Sequence, residues 1–303
     1  MNQVRSDLAP ELYRDLLGNN DSLPGIEYKK ETRGPLAVET VHIKTEEGEK
    51  LAGRPRGEYL TVSTGKLWLD DTALFREKVL RFRDLLRPYL GQGKGCVMIA
   101  GLGNRRITAD AIGPIATEHL LVTRHLAREK PRIIEHLGLC ETCSVTPGVL
   151  GETGIESADL LQGAVACVRP RMVVVIDALA AREVERLVTT VQLGTAGICP
   201  GSGIGNDRRE LSEKTLGVPV LSVGVPTVVD GATLAADAVR RFAGVEQSAD
   251  EVRDAWRSSG LNFFVTPKET DEICRVMGAF LAYGINLALN PHLSYEDMLS
   301  LAG

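Results

Sequence analysis

No stretch of the 303 residues reaches the roughly 18 consecutive apolar positions of a membrane helix. The opening MNQVRSDLAPELYRD has neither the apolar core nor the small-residue cleavage site of a secretion signal, so the cytoplasm is the expected location. Neither sign of charge dominates. With 35 Lys and Arg against 40 Asp and Glu, interspersed to a net charge of −5, there is no electrostatic footprint for direct contact with nucleic acid or an anionic membrane. Cysteine is sparse, at six residues, and without an exported leader these are expected as reduced thiols. Cys140 and Cys143 form a lone CxxC, either half a zinc site or a redox pair or two ordinary thiols, since no second CxxC or spaced His pair follows. None of the five histidines has partners at ligand spacing, so neither a metal nor a cofactor is expected. Internal repeats, low-complexity tracts and convincing linkers are absent as well, so the core reads as undivided.

What is present is 44% hydrophobic residues, enough for a sizeable core. Residues 1–35, rich in Asn, Asp, Pro, Gly and Lys, read as an arm with little regular structure. Alternation of β-branched and polar residues predicts strands at Leu36 to Lys44 and Gly57 to Ser63, which suggests a small subsheet. Apolar spacing predicts a helix over Thr72 to Leu90, behind Asp70 and Asp71. The buried run Cys96 to Ala100 then predicts a strand running into Gly101-Leu102-Gly103-Asn104, followed by Asp110 and a helix to about Arg128. Further strands are expected at Ser144 to Val149, broken by Pro147, and at Arg171 to Ile176, Thr189 to Ile198 and Pro219 to Val225. Helices are expected at about Ile155 to Val168, Thr233 to Phe242 and Pro267 to Leu289, the last with one apolar face; the charged stretch from Glu246 to Ser259 reads as peripheral. This order predicts an α/β fold, a mostly parallel central sheet with helices on both faces and a small β subsheet near the N-terminus. It divides the chain into an arm, 1–35, and a single domain, 36–303.

Two acids end predicted buried strands, Asp110 after the first and Asp177 after Met172 to Ile176. Each alone reads as a helix cap or first-turn acid. Facing one crevice, two carboxylates raise each other's affinity for a proton and can act as acid and base on a water molecule. The same pair could instead hold a divalent metal with a third ligand. The turn Gly101-Leu102-Gly103 invites a dinucleotide reading, but Arg106 stands where the third glycine belongs. Ser202, in Pro-Gly-Ser-Gly-Ile-Gly, lacks nucleophile-elbow spacing, so that loop is expected to offer backbone N–H groups. Arg182 follows Asp177 closely and reads either as a solvated face or as a charge biasing the acids.

Several blocks together resemble the spore germination protease family. They are Gly101 to Asn104 with Thr108 to Pro114, Leu121 to Leu126, Pro147-Gly148-Val149 with Thr153 to Glu156, Ile176 to Arg182, Pro200 to Asn206, Gly224 to Asp230 and Val265 to Glu269. The resemblance implies an atypical aspartic endopeptidase that degrades small acid-soluble spore proteins during germination, in the forespore and spore core. It implies a fold similar to the hydrogenase maturation endopeptidases, a homotetramer, and catalytic aspartates at Asp110 and Asp177. It also implies a self-processing zymogen. Ser6-Asp7-Leu8-Ala9 resembles the processing site, with the cut between Asp7 and Leu8 and a propeptide of residues 1–7, although Pro10 departs from the pattern. Asn104, Gly148, Arg182, Gly201, Ser202 and Gly203 are the candidates for shaping the substrate crevice. Two departures stand out: Cys199 where a histidine is expected, and a short region between Val245 and Gly260. The rival readings are a metal-dependent maturation peptidase and a catalytically silent sporulation protein that only binds.

Overall fold

The computed structural model describes residues 6–91, 93–201, 208–243, 246–260 and 263–302. Among these, nine strands join one mixed sheet. They are β1 (Ile26–Arg33), β2 (Leu36–Ile43), β3 (Gly57–Ser63), β4 (Val97–Gly101), β5 (Thr142–Val145), β6 (Met172–Ala181), β7 (Thr190–Gly194), β8 (Val220–Asp230) and β9 (Phe264–Val265). The order is β1-β2-β3-β7-β8-β6-β4-β5, with β9 on β8. Neighbours among β5, β4, β6 and β8 run parallel, and the pairs from β8 through β7 to β1 run antiparallel. The chain is therefore α/β with a parallel centre, and the subsheet expected near the N-terminus is the antiparallel wing of that sheet, joined through β3 and β7.

The centre is apolar because both faces are covered. Val173 to Ile176 are fully buried, so each of these four residues packs under a helix layer on one side or the other. On one face lie the helices Thr72–Leu90, Ile112–Thr117 and Thr270–Leu289. Asp71 starts the first of them, its side chain accepting from Leu74 N–H at 2.8 Å. Phe82 stacks on Phe280 with ring centroids 4.9 Å apart, and Gly284 permits this, since a Cβ there would lie 2.5 Å from Phe82 Cδ1. Thr270–Leu289 is long and apolar enough to cross a membrane by composition, yet it is mostly buried in this core. On the other face, helix Ser157–Val168 covers the parallel strands, and residues 6–17 cover the far ends of β6, β8 and β7.

Four expectations need correction. The described part of the expected arm, residues 6–35, is not irregular: it contains helix Ala9–Leu17 and strand β1. Its buried side includes Glu11 as well as Ala9 and Tyr13, so no clean apolar period was visible. The single helix expected after Asp110 is two, Ile112–Thr117 and Arg124–Glu129. Between them, distant side chains take the backbone groups a helix would use: Asn286 accepts from Leu121 N–H and donates to His119 O, and Thr142 Oγ1 donates to Leu121 O. Strand β5 stops at Val145, two residues before Pro147. Finally, Asp177 does not end its strand, because β6 continues to Ala181 alongside a long β8.

Candidate active site

Strands β4 and β6 are neighbours, and Gly101, the last residue of β4, is level with Ile176. The chain leaving β4 turns through Gly103 and a 3-10 turn, Thr108–Asp110, and comes back over the end of the strand. Gly103 has φ +111°, and a Cβ there would lie 1.9 Å from the Asp110 carbonyl oxygen. Gly113 is equally constrained, since its Cβ would lie 2.3 Å from Leu102 O and 2.7 Å from Ile176 O. These glycines let the turn close down on the sheet. Asn104 N–H donates to Asp110 Oδ2 at 2.7 Å, and Asp110 N–H donates to Ile107 O at 2.7 Å.

Asp110 and Asp177 both line one cavity of about 740 Å³. Leu102, Val149, Leu150, Leu179 and Phe264 give it apolar walls, while Asn104, Glu152, Arg208 and Arg209 are among its polar groups. Asp177 is 5% exposed, with Ala178 N–H donating to Oδ1 at 3.0 Å. Burial pushes its carboxyl well above the usual carboxylate range, and the charges of Asp110 and Asp7 push it further. Asp110 is also raised, first by burial, against the Asn104 N–H that favours its charged form, with Glu152 adding to the rise. Of the two carboxyls lining the cavity, Asp177 is the more buried and Asp110 the more accessible.

Ser6 to Leu8 lie against the same end of β6. Asp7 N–H donates to Ala180 O at 2.9 Å, and Ala180 N–H donates to Asp7 Oδ2 at 2.8 Å. Gln192 brackets the next bonds, its Nε2 donating to Asp7 O and its Oε1 accepting from Ala9 N–H, both at 2.7 Å. Leu8 is fully buried among Leu179, Ala181, Leu187 and Val229.

Of the crevice candidates, Asn104 and Gly201 line the cavity, and Ser202 and Gly203 lie outside the described residues. Gly148 is not on the wall; residues 149–152 are, and Gly148 O accepts from Ser157 Oγ. Arg182 also lies away from the pair. It is ion-paired with Asp15 in a separate cleft with Glu11, Glu183, Asp237 and Arg240. Of the CxxC pair, Cys143 has its Sγ 3.7 Å from that of Cys96, and both Cys140 and Cys143 are free thiols. Among the described residues no group of three His, Cys, Asp or Glu converges to hold a metal. Sequence reasoning missed Thr227, a buried strand hydroxyl that lines the cavity, and Gln192, a buried strand amide that holds residues 7 and 9. Their one signal was a polar residue inside an apolar strand run.

Comparison with known proteins adds to this geometry. The pattern of a family described as germination protease matches residues 7–255. The chain belongs to the germination protease family. The germination protease of Clostridium acetobutylicum is 37% identical over 327 residues, covering 98% of each chain. That of Clostridium tetani is 37% identical over 322 residues, again covering 98% of each. That of Bacillus subtilis is 34% identical over 356 residues, covering 97% of this chain and 95% of the relative. Family membership places the chain among the endopeptidases of spore germination.

Proposed function

We propose that this germination protease cleaves peptide bonds with the Asp110 and Asp177 pair, and that small acid-soluble spore proteins are its substrates. The observation that carries the reading is that both acids line one cavity, with the Asp177 carboxyl raised first by burial and further by the charge of Asp110. Asp177 in its protonated form donates toward the carbonyl oxygen of the bond to be cut. Asp110 in its ionised form takes a proton from a water that attacks the carbonyl carbon. The tetrahedral intermediate then collapses as the leaving nitrogen takes that proton, and both carboxyls return to their starting states. The placing of Asp7 and Leu8 beside Asp177 supports self-processing between them, with residues 1–7 as the propeptide. Assembly as a homotetramer and residence in the forespore and spore core rest on the family resemblance.

The test is incubation of the purified chain with a small acid-soluble spore protein, followed by mass spectrometry of both. Asp110→Asn and Asp177→Asn are each expected to lower both cleavages by about 10²–10⁴-fold, the range for loss of a general acid or base. Full activity in either variant removes the pair from the mechanism. Activity lost in chelator and restored by a divalent metal points instead to a metal-dependent peptidase. Binding of the spore protein without cleavage identifies a silent scaffold.

A further inference from the structure

Strands β6 and β8 run in parallel register through Leu179, opposite Pro226, and then slip: Ala180 is opposite Val228. Thr227 is the extra residue of a β-bulge. Bulges re-aim a side chain at the cost of one unpaired ladder position, and proline tolerates such places because it has no N–H to lose. Thr227 is fully buried and lines the cavity that holds Asp110 and Asp177. Its hydroxyl donates to the carbonyl of Ala109 at 2.5 Å, which is the peptide unit leading directly into Asp110. Its own carbonyl accepts from Thr266 Oγ1 at 2.9 Å, so the bulge is tied down from β9's side as well.

We infer that Thr227 is a positioning residue for Asp110, and that the bulge exists to aim its hydroxyl at the Asp110 turn. The inference rests on the catalytic reading of Asp110 above. The turn 108–110 lies against β6, β8 and helix Thr270–Leu289, but among the described residues it is paired with no strand of the sheet. Gly103 packs beneath it and the Asn104 N–H holds its carboxylate, but both belong to the loop that carries Asp110. Thr227 joins it instead to β8. That strand is in register with Asp177 through Gly224, three residues earlier. The hydroxyl thus fixes one acid relative to the strand pair that carries the other. Two groups that must share a single water are sensitive to such placement, since a shift of about 1 Å in reacting geometry costs on the order of 100-fold in rate.

The experiment compares Thr227→Val, Thr227→Ser and Thr227→Ala with the parent chain, measuring kcat and KM on a purified spore protein well below each variant's melting temperature. Thr227→Val keeps the shape and removes the donor; kcat is expected to fall about 10- to 100-fold with KM unchanged within about 3-fold. Thr227→Ser restores the donor and should recover most of the lost rate. Should Thr227→Val fail to fold, the same donor comparison is made between Thr227→Ser and Thr227→Ala. Parent-like kcat in the variant without a donor overturns the inference. So does equal impairment of the serine variant and the donor-free one, because the methyl group would then be what matters. Asp110→Asn run alongside separates the two claims. An active Asp110→Asn overturns the catalytic pair, whereas an inactive one together with parent-like Thr227→Val overturns only the role of Thr227.

Discussion

Asp177 and Gln192 stand in one row of the sheet, each directly opposite Gly224 on the strand between them. The row continues through Thr61 to Glu39. Alternation along a strand puts the side chains of paired residues on one face, so this is a polar band crossing five strands. Gly224 leaves the gap in it, occupied by Leu179, whose Cδ1 would lie 2.3 Å from a Cβ at that position. Residues 6–11 lie across the band. Asp7 and Ala9 bond to Gln192, and Glu11 meets Arg186, which in turn bonds Glu39. The N-terminal segment is thus held on the face that carries Asp177 by Gln192 and Arg186.

Gln192→Leu removes both bonds to the segment while nearly preserving volume. The buried Asp7 carbonyl and Ala9 N–H lose their partner, a change of about 1–3 kcal/mol for unsatisfied buried groups. The expected result is a lower denaturant midpoint and faster amide exchange confined to residues 6–17. Unchanged exchange there would mean that the apolar seat of Leu8 holds the segment alone.

Asp177→Asn should raise stability at neutral pH. A carboxyl raised by burial binds its proton more tightly folded than unfolded, so its stabilising effect is complete below the ordinary value of 3.8 and is lost as pH rises through the folded-state pKa. Each tenfold gain in proton affinity on folding is worth about 1.4 kcal/mol. The amide has no such dependence. Urea midpoints at about pH 4 and about pH 7 should therefore fall more steeply for the parent than for the variant, with Asp110 and Glu11, both also raised, leaving a residual slope in each. Parallel curves would show that Asp177 titrates alike in the folded and unfolded chain.

Arg186→Leu attacks the other end of the polar band. The Arg186 side chain is 10% exposed and lies between Glu11 and Glu39, whose side chains are 1% and 7% exposed. Removing one partner of a buried ion pair leaves uncompensated charge and costs about 3–5 kcal/mol. The deficit should shrink in acid, where the stranded carboxylates take up protons. A deficit that does not change with pH would place the loss in packing instead.

The parts of this fold legible in the sequence are those made by local pattern. Strand β3 and helix Thr72–Leu90 fall on the residues expected, the first from alternation and the second from spacing behind Asp71. The pairing of β4, which leads into the Asp110 turn, with β6, which carries Asp177, also fits the sequence, since two wholly apolar runs belong in the parallel centre. What was not legible is contact between distant residues. Asn286 breaking the helix after Thr117, Gln192 holding residues 7 and 9, and a one-residue slip aiming Thr227 all depend on partners more than 100 residues away. No window of local sequence encodes such pairings. Arg182 shows the converse, for nearness to Asp177 in the chain did not bring it to the acids.

Gly103 separates what the turn contributes to folding from what it contributes to chemistry. Its φ of +111° is strained for any L side chain, and a Cβ would press into the Asp110 carbonyl. Gly217 offers a control, with φ +72° and nothing within 4 Å of its Cβ position. Gly217→Ala should cost about 1 kcal/mol of helix-end strain and leave kcat alone. Gly103→Ala should cost about 1–3 kcal/mol and also lower kcat by on the order of 100-fold, because relief of the clash requires Asp110 to move. Melting curves and kcat measured on both variants decide the point. If Gly103→Ala loses stability while keeping the parent's kcat, the turn tolerates displacement, and a fixed seat for Asp110 is not what the loop from Gly101 to Asp110 is built to hold.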